Sequence, residues 1–183
     1  MACNPTGSLT VTISEAIRLP NGNMEEALNT EVITGVNQIM RRTDTISTTF
    51  SGSGIEILRF VDSEEQQTAG SFVRDTVKYM RFTNLCTTNF VSLYLIQDSP
   101  EAQNPNTGNV GSGDESLFRL DAGKSMVFSN AQFQGTDYYD YVVEGYVDIQ
   151  YFSSFASLSS IKAKADTADV QIEYFIASSI LPL

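Results

Sequence analysis

Residues 77–96, VKYMRFTNLCTTNFVSLYLI, restrict the fold more than any other stretch of this chain. They read as two β-strands, 77–83 and 90–96, joined by a polar turn containing Asn84, Thr87, Thr88 and Asn89. Side chains alternate along a strand, so Val91, Leu93 and Leu95 point one way while Phe90, Tyr94 and Ile96 point the other. Both faces are apolar, whereas a strand with one wet face carries polar residues at every second position. Read as a hairpin, the pair needs cover on both sides, from a second sheet, from another subunit, or from both.

The remaining chain repeats the strand signal. Leu9, Val11 and Ile13 share one face of an alternating segment, with Thr10 and Thr12 on the other. Pro20, Asn21, Gly22 and Asn23 mark a turn, and residues 25–29 are long enough for one helical turn. Strand character returns at 31–33, 38–50 and 55–61, broken by Ser51, Gly52, Ser53 and Gly54. Residues 63–70 form a polar connection with room for a helical turn. Residues 99–113 form a long Pro-, Asn-, Gly- and Ser-rich loop of the kind often linked to assembly. Segments 116–120 and 125–128 read as a strand pair around a turn at Asp121, Ala122, Gly123 and Lys124. Residues 141–151 alternate most cleanly, and 158–165 and 170–177 follow, separated by 166–169.

About ten strands and no long helix predict an all-β fold, a jelly-roll-like two-sheet β-sandwich. Residues 1–30 read as an extended N-terminal arm, with an ordinary edge strand as the alternative, and 31–183 as a single sandwich domain. Tyr79, Phe82, Val91, Leu93, Leu95, Val143, Val147, Ile172 and Tyr174 are expected in the core.

Charge narrows the function. Twenty-two acidic against eleven basic residues give a net charge of -11, which repels phosphate backbones and argues against nucleic-acid binding. No segment approaches the roughly 18–20 apolar residues that cross a bilayer, so no membrane role is expected. The first ten residues lack the charged and apolar regions of a signal peptide, pointing to synthesis in a cytoplasm. Cys3 and Cys86 are accordingly expected as free thiols. With no histidine in the chain, Ser-His-Asp and Cys-His catalysis and the commonest zinc ligand are lost together. The carboxylate pairs Glu25–Glu26, Glu64–Glu65 and Asp114–Glu115 are adjacent in sequence, so on a strand they face apart. The expectation is a non-enzyme without cofactor or metal.

One region is chemically distinctive. Residues 134–151 carry Asp137, Asp140, Glu144 and Asp148 beside Tyr138, Tyr139, Tyr141, Tyr146 and Tyr151, with no basic residue. Sugar stacking on the rings, Ca²⁺ held by Asp137 and Asp140, a subunit interface, and plain core with a solvated face all fit this composition. The Gly123–Lys124 turn lacks the spacing of a phosphate loop and is read as a turn. The candidate interface residues are Leu9, Val11, Ile13, Arg41, Arg42, Tyr138, Tyr139 and Tyr146.

Three segments, VKYMRFTNLCTTNFVSLYL, SLFRLDAGKSMVF and SSIKAKADTADVQIEYFIAS, together resemble small β-sandwich virion structural proteins of tailed bacteriophages, including phages of marine bacteria and cyanobacteria. The similarity spans roughly residues 32–178. It implies an accessory part of a virion, either a head decoration, a neck or collar component, or a tail or fibre attachment. The partners it implies are other virion proteins and further copies of the chain in a homo-oligomer. The expectation is a non-enzymatic subunit on the outside of the head or neck. A tail or fibre component with a carbohydrate- or receptor-binding sandwich is the alternative.

Overall fold

In a computed structural model the chain is all-β, and the structure describes residues 7–18, 20, 24–49, 54–63, 66, 68–97, 115–129, 155 and 158–179. Its strands are β1 (Gly7–Arg18), β2 (Met24–Val36), β3 (Gln38–Ile46), β4 (Ile55–Val61), β5 (Ser71–Val73) and β6 (Val77–Asn84), then β7 (Val91–Gln97), β8 (Glu115–Leu120), β9 (Ser125–Ser129), β10 (Leu158–Ala165) and β11 (Val170–Ser178). They build a β1–β2 hairpin, a five-stranded sheet ordered β5-β4-β10-β7-β8, and a four-stranded sheet ordered β3-β11-β6-β9. The five- and four-stranded sheets pack face to face as a β-sandwich.

The pairing is nested. β3 pairs with β11, β4 with β10, β6 with β9 and β7 with β8, all antiparallel. Each of the successive pairs β3/β4, β6/β7, β8/β9 and β10/β11 is divided between the two sheets. Residues 77–96 are therefore not a hairpin: β6 and β7 face each other across the core. Segments 116–120 and 125–128 are likewise strands that belong to different sheets rather than a strand pair. The physical reason lies in the connections. None carries the two-residue Asn-Gly or Asp-Gly signal of a tight hairpin, and each has the length to cross the roughly 10 Å between packed sheets.

The two inner faces meet in one apolar core. Leu58, Phe60, Phe72, Leu93, Leu95 and Ile161 enter it from the five-stranded sheet, and Ile46, Met80, Phe82, Ile172, Tyr174 and Ile176 from the other. Phe82 and Phe118 each meet Phe128 nearly edge-on, with ring centres 6.2 and 5.8 Å apart, a preferred aromatic geometry. Of the expected core residues, Tyr79, Phe82, Val91, Leu93, Leu95, Ile172 and Tyr174 are all buried. Val143 and Val147 lie outside the described residues.

The first hairpin forms a third, partial layer. Its base packs on the outer face of the four-stranded sheet, where Leu9, Val11 and Ile33 adjoin buried Val36, Tyr79 and Ala177. Gly35, at φ 73°, lets the chain bend from β2 into β3. Residues 25–29, read as one helical turn, are instead part of β2. A lone helical turn has a costly nucleus, whereas β1 offers a complete backbone ladder along its length.

Candidate functional site

The hairpin arm is the first surface of interest. Leu9 sits opposite Ile33, Val11 opposite Glu31 and Ile13 opposite Asn29. Leu9 and Val11 are half-buried on the sandwich, and Glu31 accepts a 3.0 Å bond from Ser129 Oγ. Beyond Val11 and Glu31, every described side chain of the hairpin is exposed. Ile13 is 43% exposed, Leu28 72% and Val32 58%. Roughly half of a two-stranded ribbon thus projects with apolar side chains in solvent. Isolated ribbons of this kind are marginally stable in water.

Arg41 and Arg42 part company. Being adjacent in a strand, they face opposite sides of the four-stranded sheet. On the outer face, Arg41 Nε donates to Glu173 Oε2 at 2.8 Å and Arg81 Nη2 to Glu173 Oε1 at 2.8 Å. Arg81 also lies over the Phe175 ring, 5.8 Å from its centre, and Phe175 meets Tyr79 edge-on. The bond from Arg41 does most to hold the Glu173 carboxyl below the usual glutamate range, against the opposing effect of burial. On the inner side, at the sandwich margin, Arg42 Nε donates to Asp44 Oδ1 at 2.8 Å, and the Tyr174 hydroxyl donates to Asp44 Oδ2 at 2.5 Å. β3 is an edge strand, and inward-pointing charges such as these blunt an edge against unwanted pairing.

The Glu173 pair network yields a pH prediction. Because its folded pKa is depressed, the carboxylate adds stability that is present above the unfolded value and lost as pH falls through the folded one. Glu173→Gln is expected to cost about 1–2 kcal/mol at pH 7, the exposed Arg41 side weakening the effect. In urea unfolding, the gap between variant and parent should start to narrow below the ordinary glutamate pKa of about 4.3 and shrink further as pH falls. A gap that does not narrow with falling pH would contradict the assignment.

The outer face of the five-stranded sheet is the second surface. Successive rows across it bring together Lys164, Ser92 and Arg119, then Glu56, Lys162, Tyr94 and Leu117, then Arg59, Ser160, Ile96 and Glu115. Tyr94 and Ile96 are half-buried, and Leu117 is 60% exposed. The second apolar face of β7, evident from the sequence, is thus an outer surface rather than core. The Arg119 guanidinium sits 3.9 Å over the Phe90 ring and donates to Asp121 at 2.7 Å.

Asn84 ties three crossing connections together at one end of the sandwich. Fully buried, it donates from Nδ2 to the Asn89 and Leu120 carbonyls at 2.9 and 3.0 Å and accepts from the Cys86 N–H at 2.9 Å. Its own N–H reaches the Lys124 carbonyl, Leu85 N–H reaches Gln171, and Thr167 Oγ1 donates to Asn89. Cys86 is a free thiol, and backbone bonds around Sγ, chiefly at Thr88 and then Asn89, lower its pKa to about 7. Cys3, the other expected free thiol, lies outside the described residues.

Tyr138, Tyr139 and Tyr146, with Asp137 and Asp140, also lie outside the described residues. Sequence reasoning gave Glu173 no role and read Asn84 as a turn residue, whereas it is the buried last residue of β6. A glutamate in the apolar run VQIEYFIAS demands a buried partner, and Arg41 and Arg81 were available in other strands. No protein-family model matches the chain, and neither a curated protein nor a solved structure does.

Proposed function

We propose that this chain is a non-enzymatic structural subunit of a tailed-phage virion, an accessory protein on the outside of the head or neck that acts through protein–protein contacts. The observation that carries the reading is the half-free hairpin, whose uncovered Ile13, Leu28 and Val32 call for a neighbouring molecule. The three-segment resemblance to phage virion proteins points the same way. The strand order supports reading the sandwich as a jelly roll, since four antiparallel pairs, two in each sheet, nest about the 98–114 connection. That architecture recurs in capsid and lectin domains, so it is compatible with a particle part without requiring one.

The outer position follows from charge. At -11 per copy, a subunit lining the interior would face packaged DNA and be repelled. Homo-oligomers are expected because repeated sites on a particle are symmetric and closed assemblies cover strand edges. Mass spectrometry of purified particles should find the chain at a fixed copy number that survives salt washing. Its absence from particles would overturn the proposal. Glycan binding lost on Tyr138→Ala or Tyr139→Ala would favour the tail or fibre reading instead.

A further inference from the structure

We infer that copies of this chain join head to tail, the free half of one copy's hairpin lying across the outer face of the next copy's five-stranded sheet. The inference deepens the structural-subunit reading and rests on it only for the expectation that copies meet. Three observations converge on this occupant. The described side chains in the free half of the hairpin are exposed on both faces, Ile13 and Leu28 among them. The outer face of the five-stranded sheet carries Tyr94, Ile96 and Leu117 and, among the described residues, has no third layer, whereas the opposite outer face is covered by the hairpin base. Dimensions agree: seven residues at about 3.4 Å span about 24 Å, and five strands at about 4.8 Å spacing are about 19 Å across.

Charge selects the pairing. The free half carries Glu15 and Glu26 exposed, with Arg18 at its far end. The sheet face sets Lys162, Lys164, Arg59 and Arg119 around its apolar strip against Glu56 and Glu115, with Arg59 paired to Glu56 and Arg119 to Asp121, which leaves a net positive face on a chain of net charge -11. Opposite fields across a contact steer association and fix its register. Hairpin-to-hairpin pairing would instead set Glu15 and Glu26 against their own copies. Because the two contact surfaces differ, the interface is heterologous and generates a ring or an open row.

The test uses the full chain in sedimentation velocity. Lys162→Glu/Lys164→Glu on one protein, and Glu15→Lys/Glu26→Lys on another, should each weaken self-association at least tenfold. Mixing the two should restore it, because each altered hairpin meets an altered sheet and each native hairpin a native sheet. A photo-crosslinking side chain at Leu28, which is exposed and outside the core, should attach to peptides from β7, β8 or β10 of another copy. Cross-links to another hairpin, a wild-type chain that stays monomeric, or a mixture that fails to recover would overturn the inference. A chain present in particles whose variants still associate normally would sink this interface and leave the subunit reading standing. A chain that associates as described but is missing from particles would do the reverse.

Discussion

Replacing Asn84 with alanine is expected to lower the unfolding free energy by about 3–4 kcal/mol, a fall in Tm of about 6–16 °C for a domain of this size. The reason is local and additive. The substitution strands the Leu120 and Asn89 carbonyls and the Cys86 N–H, three groups bonded to one fully buried amide. Each buried group left unpaired costs about 1–3 kcal/mol, moderated where water can reach the end of the sandwich. The connections 85–90 and 121–124 also lose their shared anchor. Asn84→Asp should do little better, because a carboxylate cannot donate the two bonds that Nδ2 makes. Thermal unfolding followed by circular dichroism is the measurement. A loss below about 1 kcal/mol would show that the connections hold without it.

Gly54→Ala should be comparably damaging through the backbone alone. Gly54 has φ 86°, and a Cβ there would lie 2.1 Å from the Ala163 carbonyl oxygen and 2.9 Å from Lys164 Cβ. The obstructing oxygen belongs to β10 and cannot rotate away, so the start of β4 must lift from its partner strand. Left-handed strain of about 1–2 kcal/mol plus loss of pairing gives about 3 kcal/mol or more. Gly70 supplies the control: its φ is 88°, but a Cβ there meets nothing within 4 Å. Gly70→Ala should therefore cost only the strain, about 1 kcal/mol. Equal losses at both positions would remove the steric part of the explanation. Urea unfolding midpoints of the two variants, measured side by side, decide it.

Alternation made most strands legible in the sequence, because period-two patterning in β6, β7, β10 and β11 reports directly which residues face a core. It reports faces, however, and not neighbours. The pattern of residues 77–96 is the same whether β6 and β7 pair or face each other across the core, so the hairpin expectation failed where the strand expectation held. The functional surfaces were harder still. Glu173 meets Arg41 across 132 positions and Arg81 across 92, a meeting produced by the register of three strands and invisible to local spacing. Leu9, Val11 and Ile13 were recognisable as one face of a strand. Their partner strand was not, since Glu25, Glu26, Ala27 and Leu28 are good helix formers whose propensity is overridden by the ladder with β1.

The hairpin, the two-sided β7 and the acidic surface acquire a common explanation if the sandwich is built to be repeated on a particle. A reconstruction of the whole virion tests that claim most directly. Density for this sandwich is expected at symmetric positions outside the head or neck, with each hairpin's free half in contact with a neighbouring molecule. Particles in which no such density exists, together with a purified chain that remains a soluble monomer, would contradict it.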